Sequence, residues 1–138
     1  MAEGIFVHKL KERGIENEFE VDSCGTGDYH IGEQPDRRTI ENARQNGIIL
    51  DHRARQLRKS DLEEYDHIFV MDESNRKNTL RLGSPEFHEK VELMRKYDDR
   101  DPGSDVPDPY FGGQEGFQNV FDILDRSLDN WLDNSKHK

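Results

Sequence analysis

The chain's only cysteine, Cys24, lies in the stretch Asp22-Ser23-Cys24-Gly25-Thr26-Gly27-Asp28-Tyr29-His30. A thiol at the end of a short apolar run, beside glycines that let a substrate approach the backbone and six residues before a histidine, has the parts of a nucleophilic site. The neighbouring residues argue against that chemistry. A thiolate needs a helix N-terminus or a nearby cation to lower its pKa, and no helix opens directly after Cys24. The Asp28 carboxylate would instead push the thiol pKa up. Cys24 therefore reads as a buried or half-buried packing residue without a reactive role.

A second stretch, Val106-Pro107-Asp108-Pro109-Tyr110-Phe111-Gly112-Gly113, places an acid between two prolines. By residue type alone Asp108-Pro109 is an ordinary turn. On the same footing Phe111 suits core packing, Tyr29 a surface aromatic and His52 a solvated or locally bonded histidine. The Cys and His spacing gives no zinc site.

Several elements must position these residues. Ala2, Ile5, Phe6 and Leu10 fall on one face of a helix from Ala2 to Arg13, which Gly14 is placed to end. Its first turn has no Ser, Thr, Asp or Asn before it to cap the free amides. Phe19 and Val21 predict a short strand from Phe19 to Ser23. Pro35-Asp36 opens a polar helix to Asn46, with Gly47 as its stop. Ser60 caps a helical turn through Tyr65, with Glu63 three residues on as a possible capping-box partner. His67 to Met71 is the best buried strand, Asp72 or Ser74 caps the next helix, and Val91 to Tyr97 is a third strand. A turn-rich segment then leads to a helix on which Phe117, Val120, Phe121, Leu124, Leu128, Trp131 and Leu132 recur at steps of three and four. Strands alternating with helices predict an α/β fold, a small parallel sheet flanked by helices. Ligands of such folds bind at the carboxyl ends of the strands, where Ser23-Cys24, Met71-Asp72 and the loop after Tyr97 would gather.

The 138 residues fit one domain of ordinary size. An apolar share of 31%, a charged share of 36% and a net charge of -10 raise the question of disorder, which the periodic segments answer for most of the length. The acidic balance disfavours nucleic acid and anionic membranes as partners, since each phosphate contact needs a local Lys or Arg. A single cysteine, no signal peptide and no apolar run of membrane length predict a cytoplasmic protein.

Taken together, "MAEGIF", "FEVDSCGTGDYHIGEQPD", "GIILDHRARQL", "DHIFVMDESNRKN", "KVELMRKYD" and "VPDPYFGGQEGFQNVFD" resemble the low-molecular-weight protein-tyrosine-phosphatase family in order and spacing. The resemblance covers essentially the whole chain. It implies hydrolysis of phosphotyrosine monoesters through a phosphocysteine, without metal or other cofactor, acting on a phosphotyrosine protein or aryl phosphate. Asp108 matches the family's general acid, which protonates the departing phenolate and then activates water. Tyr29, Tyr110 and Phe111 match aromatic walls of its substrate cleft. Ser23 and His52 match supports for an Asn of its phosphate loop.

The family's Cys-x5-Arg loop and the strand before it have no counterpart here. Met1 aligns with the helix start that follows that loop, and the segment after Cys24 puts His30 where the arginine would be. The resemblance thus implies a chain that is N-terminally incomplete and inactive as it stands. The alternatives are a non-catalytic phosphatase-like binding module and, less favoured, an arsenate reductase, whose redox relay calls for several cysteines. In the family the absent strand lies between those at Phe19 to Ser23 and His67 to Met71. Its loss predicts a perturbed sheet or a homo-oligomer through the gap, and Ser23 and His52 left short of a hydrogen-bond partner.

Overall fold

A computed structural model of the chain describes residues 1–25, 36–50, 55–107 and 113–135. Tyr29, Pro35, His52, Asp108, Tyr110 and Phe111 lie outside the described residues.

The first helix, α1 (Ala2–Glu12), forms without a side-chain cap, the Met1 carbonyl accepting from the Ile5 amide. Its apolar stripe is buried at Ile5 and Leu10, and Gly14 ends the helix with a φ of 69° that an L side chain rarely adopts. Lys9 on the same face is also buried, its ammonium held 2.7 Å from Asp125 and 2.9 Å from Asp129.

The residues from Phe19 to Ser23 do not form the expected strand. A 3-10 turn at Glu16–Glu18 leads into chain that pairs only once, where Gly25 and Gln56 form an isolated parallel bridge. A strand needs a neighbour for its N–H and C=O groups, and among the described residues none lies alongside. Alternation still aims Phe19 and Val21 into the apolar cluster around Trp131.

Helix α2 (Arg37–Gln45) is capped by Asp36, whose carboxylate accepts from the Arg38 amide at 2.8 Å, and ends at Gly47 with φ 85°. Helix α3 (Lys59–Glu64) begins one residue before the expected Ser60 cap. Its N-terminal partner is Asp61, which accepts from the Arg58 amide at 2.8 Å, because a buried carboxylate tied to Arg55 already faces that end. Strand β1 (Ile68–Val70) is followed by α4 (Glu73–Leu82), capped by Asp72 at 2.7 Å from the Asn75 amide.

Strand β2 (Val91–Leu93) is shorter than the expected Val91 to Tyr97. Met94–Tyr97 turns into a 3-10 helix, with the Arg95 carbonyl accepting from the amides of both Asp98 and Gly103. Strands β1 and β2 pair in parallel, Ile68 opposite Val91 and Val70 opposite Leu93, with α4 as the crossover that parallel strands require. Helix α4 packs on both strands, while Phe69 faces the cluster built from α1 and the last helix. That helix, α5 (Gly113–Ser135), buries every apolar position read from its periodicity, together with Ile123, and packs against α1, α2 and Met94–Tyr97. The architecture is the expected parallel sheet flanked by helices, with two strands rather than three among the described residues.

Candidate active site

Ser23 and Cys24 lie just before the Gly25–Gln56 bridge. The Gly25 amide donates to the Arg55 carbonyl at 2.9 Å and the Leu57 amide to the Gly25 carbonyl at 2.7 Å. Ser23 is not short of a partner: its hydroxyl donates to Glu3 of the first α1 turn at 3.2 Å. Both residues border a cavity of about 420 Å³ whose other walls include Met1, Gly4, Ile48 and Leu50. A Cβ on Gly4 would run into the Leu50 and Ile48 side chains, so glycine lets α1 lie close to that stretch.

Cys24 is exposed, contrary to the expected packing role. Partial desolvation nevertheless pushes its thiol pKa up. Arg55 pulls it back and Asp61 and Asp22 push it further. A thiol held in its protonated form is a poor nucleophile, so the expectation of an unreactive Cys24 agrees with its surroundings while the reason differs.

Arg55 organises this corner. Its Nε donates to Asp22 at 2.9 Å, and Nη1 and Nη2 form a fork on Asp61 at 2.9 and 3.1 Å. Burial alone would raise the Asp61 pKa, yet the Arg55 fork and the Arg58 amide hold it below the usual carboxylate range. Bidentate pairs of this kind are the strong ones. Asp61→Asn is expected to cost about 1.5–3 kcal/mol of unfolding free energy, the scale of hydrogen bonds to a charged group. Urea titration of the two chains measures it, and a loss below about 0.5 kcal/mol would class the pair with ordinary surface ion pairs.

A second polar centre holds the approach to Asp108. Asp98 is fully buried, with Arg126 Nε and Nη2 at 2.7 and 3.0 Å, Arg95 Nε at 2.8 Å and the Arg100 amide at 3.0 Å. Burial would raise its pKa; the Arg126 fork, the Arg100 amide and Arg95 together hold it well below the usual range. Further on, the Val106 amide donates to the carbonyl of Met71, the residue after β1, at 2.7 Å. The chain thus reaches Pro107 from the carboxyl end of a parallel strand, the place where α/β folds bind ligands.

Sequence reasoning missed Asp98, Arg126, Arg55 and Asp61. Asp98 is one acid among several in Asp98-Asp99-Arg100-Asp101, and nothing in that spacing singles it out. The available signal was Arg126 lying one residue from the buried face of α5, beside Ser127. Among the described residues, no cluster of three or more His, Cys, Asp or Glu could hold a metal ion, and no helix is long and apolar enough to cross a membrane.

A small parallel sheet flanked by helices, with the acidic segment before Pro107 anchored at the carboxyl end of β1, defines a protein of the α/β class. The family model for low molecular weight phosphotyrosine protein phosphatase matches residues 1–138, and the chain belongs to that family. It is 41% identical over 122 residues to the low molecular weight phosphotyrosine protein phosphatase of Schizosaccharomyces pombe, covering 88% of this chain and 78% of that relative. The human protein of the same name is 33% identical over 123 residues, covering 88% of this chain and 77% of its own length. A crystal structure of a protein tyrosine phosphatase from Entamoeba histolytica, with Hepes in its active site, superposes with a TM-score of 0.93 at 30% identity, covering 98% of this chain and 86% of that one.

Proposed function

We propose that these 138 residues form the body of a phosphotyrosine phosphatase whose thiolate nucleophile and phosphate-binding arginine are not among them. One observation carries this reading. The family match spans residues 1–138, yet the only cysteine begins a Cys-x5-His sequence, from Cys24 to His30.

Asp108 is the general acid. As the thiolate attacks phosphorus, forming the P–S bond and breaking the P–O bond, Asp108 donates its proton to the tyrosyl oxygen, a poor leaving group because a phenol has a pKa of about 10. The resulting carboxylate then takes a proton from the water that cleaves the P–S bond. Tyr29, Tyr110 and Phe111 wall the cleft for a flat phenyl ring. Ser23 and His52 support the phosphate loop, and Ser23 is held meanwhile by Glu3. Any turnover of this kind requires a cysteine and an arginine that the 138 residues do not supply in the needed arrangement.

The codons preceding Met1 in the gene test the reading. An in-frame Cys-x5-Arg segment is expected, and a stop codon with no such segment would leave the non-catalytic binding module as the better account. In a gene product that carries the loop, Asp108→Asn is expected to lower kcat for an aryl phosphate by about 10²- to 10⁴-fold, the range of general acid–base contributions. An unchanged kcat would remove Asp108 from the mechanism.

Self-association belongs to the same proposal, with a second copy as the partner. Among the described residues β1 has a neighbour only on its β2 side, and an open edge is a template for another strand. Light scattering of the purified chain is expected to give a mass above 16.2 kDa. A monomer would contradict it.

A further inference from the structure

The segment leading to Asp108 is gripped at both ends. At its start α5 reaches across with two residues one turn apart. Arg126 forks onto the Asp98 carboxylate at 2.7 and 3.0 Å, and Asn130 Nδ2 donates to the Tyr97 carbonyl at 2.9 Å. At its far end the Val106 amide binds the Met71 carbonyl at 2.7 Å, and the Asp105 carboxylate accepts from the Glu73 amide at 3.0 Å. Arg95 links the two ends. Its Nε binds Asp98 at 2.8 Å, its Nη1 donates to the Asp105 carbonyl at 3.1 Å, and its carbonyl accepts from the Gly103 amide at 3.0 Å.

From these contacts we infer that the Arg126–Asp98 fork is a positioning device for the loop that carries the acid Asp108. The inference rests on the reading of Asp108 as general acid and adds that Arg126 acts through the loop rather than on the substrate. Pro107, whose ring fixes its own φ, is the one residue between Val106 and Asp108 in the sequence. An apolar pair would hold two packed elements together as well as a buried ion pair does. What a planar fork adds is one orientation, which an acid that must meet a leaving oxygen needs.

Arg126→Lys keeps the charge and removes the fork. In the 138-residue chain, hydrogen exchange of the amides between Asp99 and Val106 is expected to speed up about 10-fold or more, a local opening made easier by one lost charge-assisted contact. The α1 and α2 amides should keep their rates. Unchanged exchange between Asp99 and Val106 in the folded variant would overturn the inference. Asp98→Asn should behave alike, and if that chain does not fold, Arg126→Lys decides alone.

A second readout separates positioning from stability. In a gene product carrying the Cys-x5-Arg loop, Arg126→Lys should lower kcat/KM for phenyl phosphate at least about 10-fold more than for 2,4-dinitrophenyl phosphate, because kcat/KM reports the step that forms the phosphocysteine and the better leaving group needs no proton there. An equal fall in kcat/KM for both esters would contradict positioning of the acid. No turnover by the unsubstituted product would refute the proposed function instead, and the exchange measurement would still decide whether the fork holds the loop.

Discussion

Asp98→Ala is expected to lower the unfolding free energy by about 3–5 kcal/mol, because it leaves two guanidinium groups facing a buried site without their counter-charge. Arg126 and Arg95 both bond this fully buried carboxylate, and the Arg100 amide adds a third donor. The same pair predicts a pH dependence of definite sign. The folded-state pKa of Asp98 is depressed, so its contribution is fully present above the unfolded value of about 3.9 and is lost as pH falls through the folded value. Stability of the unsubstituted chain should therefore decline on the acid side of about pH 4, and Asp98→Ala should show a shallower decline there. Chemical denaturation at several pH values checks both statements. Parallel acid limbs for the two chains would mean that Asp98 has the same proton affinity folded and unfolded.

Trp131→Ala is the second large effect, expected at about 3–5 kcal/mol. The indole lies within 5.1 Å of the His67 ring, 5.4 Å of Phe69, 5.8 Å of Phe6 and 6.2 Å of Phe19, centroid to centroid. These rings come from α1, the chain at Phe19, the approach to β1 and β1 itself. Trp131 therefore ties α5 to α1, to β1 and to the chain at Phe19. Edge-on pairs add about 0.5–1.5 kcal/mol each beyond the apolar area that they bury. Thermal or urea unfolding measures the loss. A cost under about 1 kcal/mol would show that the cluster closes over the cavity.

Reading the chain as a sequence succeeded where one element's own residues decide the outcome. The repeat from Phe117 to Leu132 needs no partner to be recognised, and each of its apolar positions is buried. It failed where the outcome belongs to two segments at once. Phe19 and Val21 alternate as a strand should, and they do face the Trp131 cluster, but a strand is defined by a neighbour, and among the described residues of that stretch only Gly25 has one. Of the strand expected from Val91 to Tyr97, only Val91–Leu93 forms. There the Arg95 carbonyl is taken by Asp98 and Gly103, and the backbone coils after Leu93.

The site divides in the same way. The expectation for Asp108, Tyr110 and Phe111 comes only from the resemblance, since an Asp-Pro pair by itself is a turn, and these residues lie outside the described ones. Asp98 and Arg126 were not legible, because 28 residues separate them and a carboxylate's burial depends on what folds over it. Cys24 is exposed, and partial desolvation of its thiol together with Asp61 and Asp22 pushes its pKa up against the pull of Arg55.

The central claim is that this chain carries the acid and the scaffold of a phosphatase without its nucleophile. The most direct test is the initial rate of aryl phosphate hydrolysis by the purified 138-residue chain beside its Asp108→Asn variant. The predicted result is no turnover above the buffer rate for either. Robust turnover that Asp108→Asn abolishes would contradict it and would place a working nucleophile within these residues.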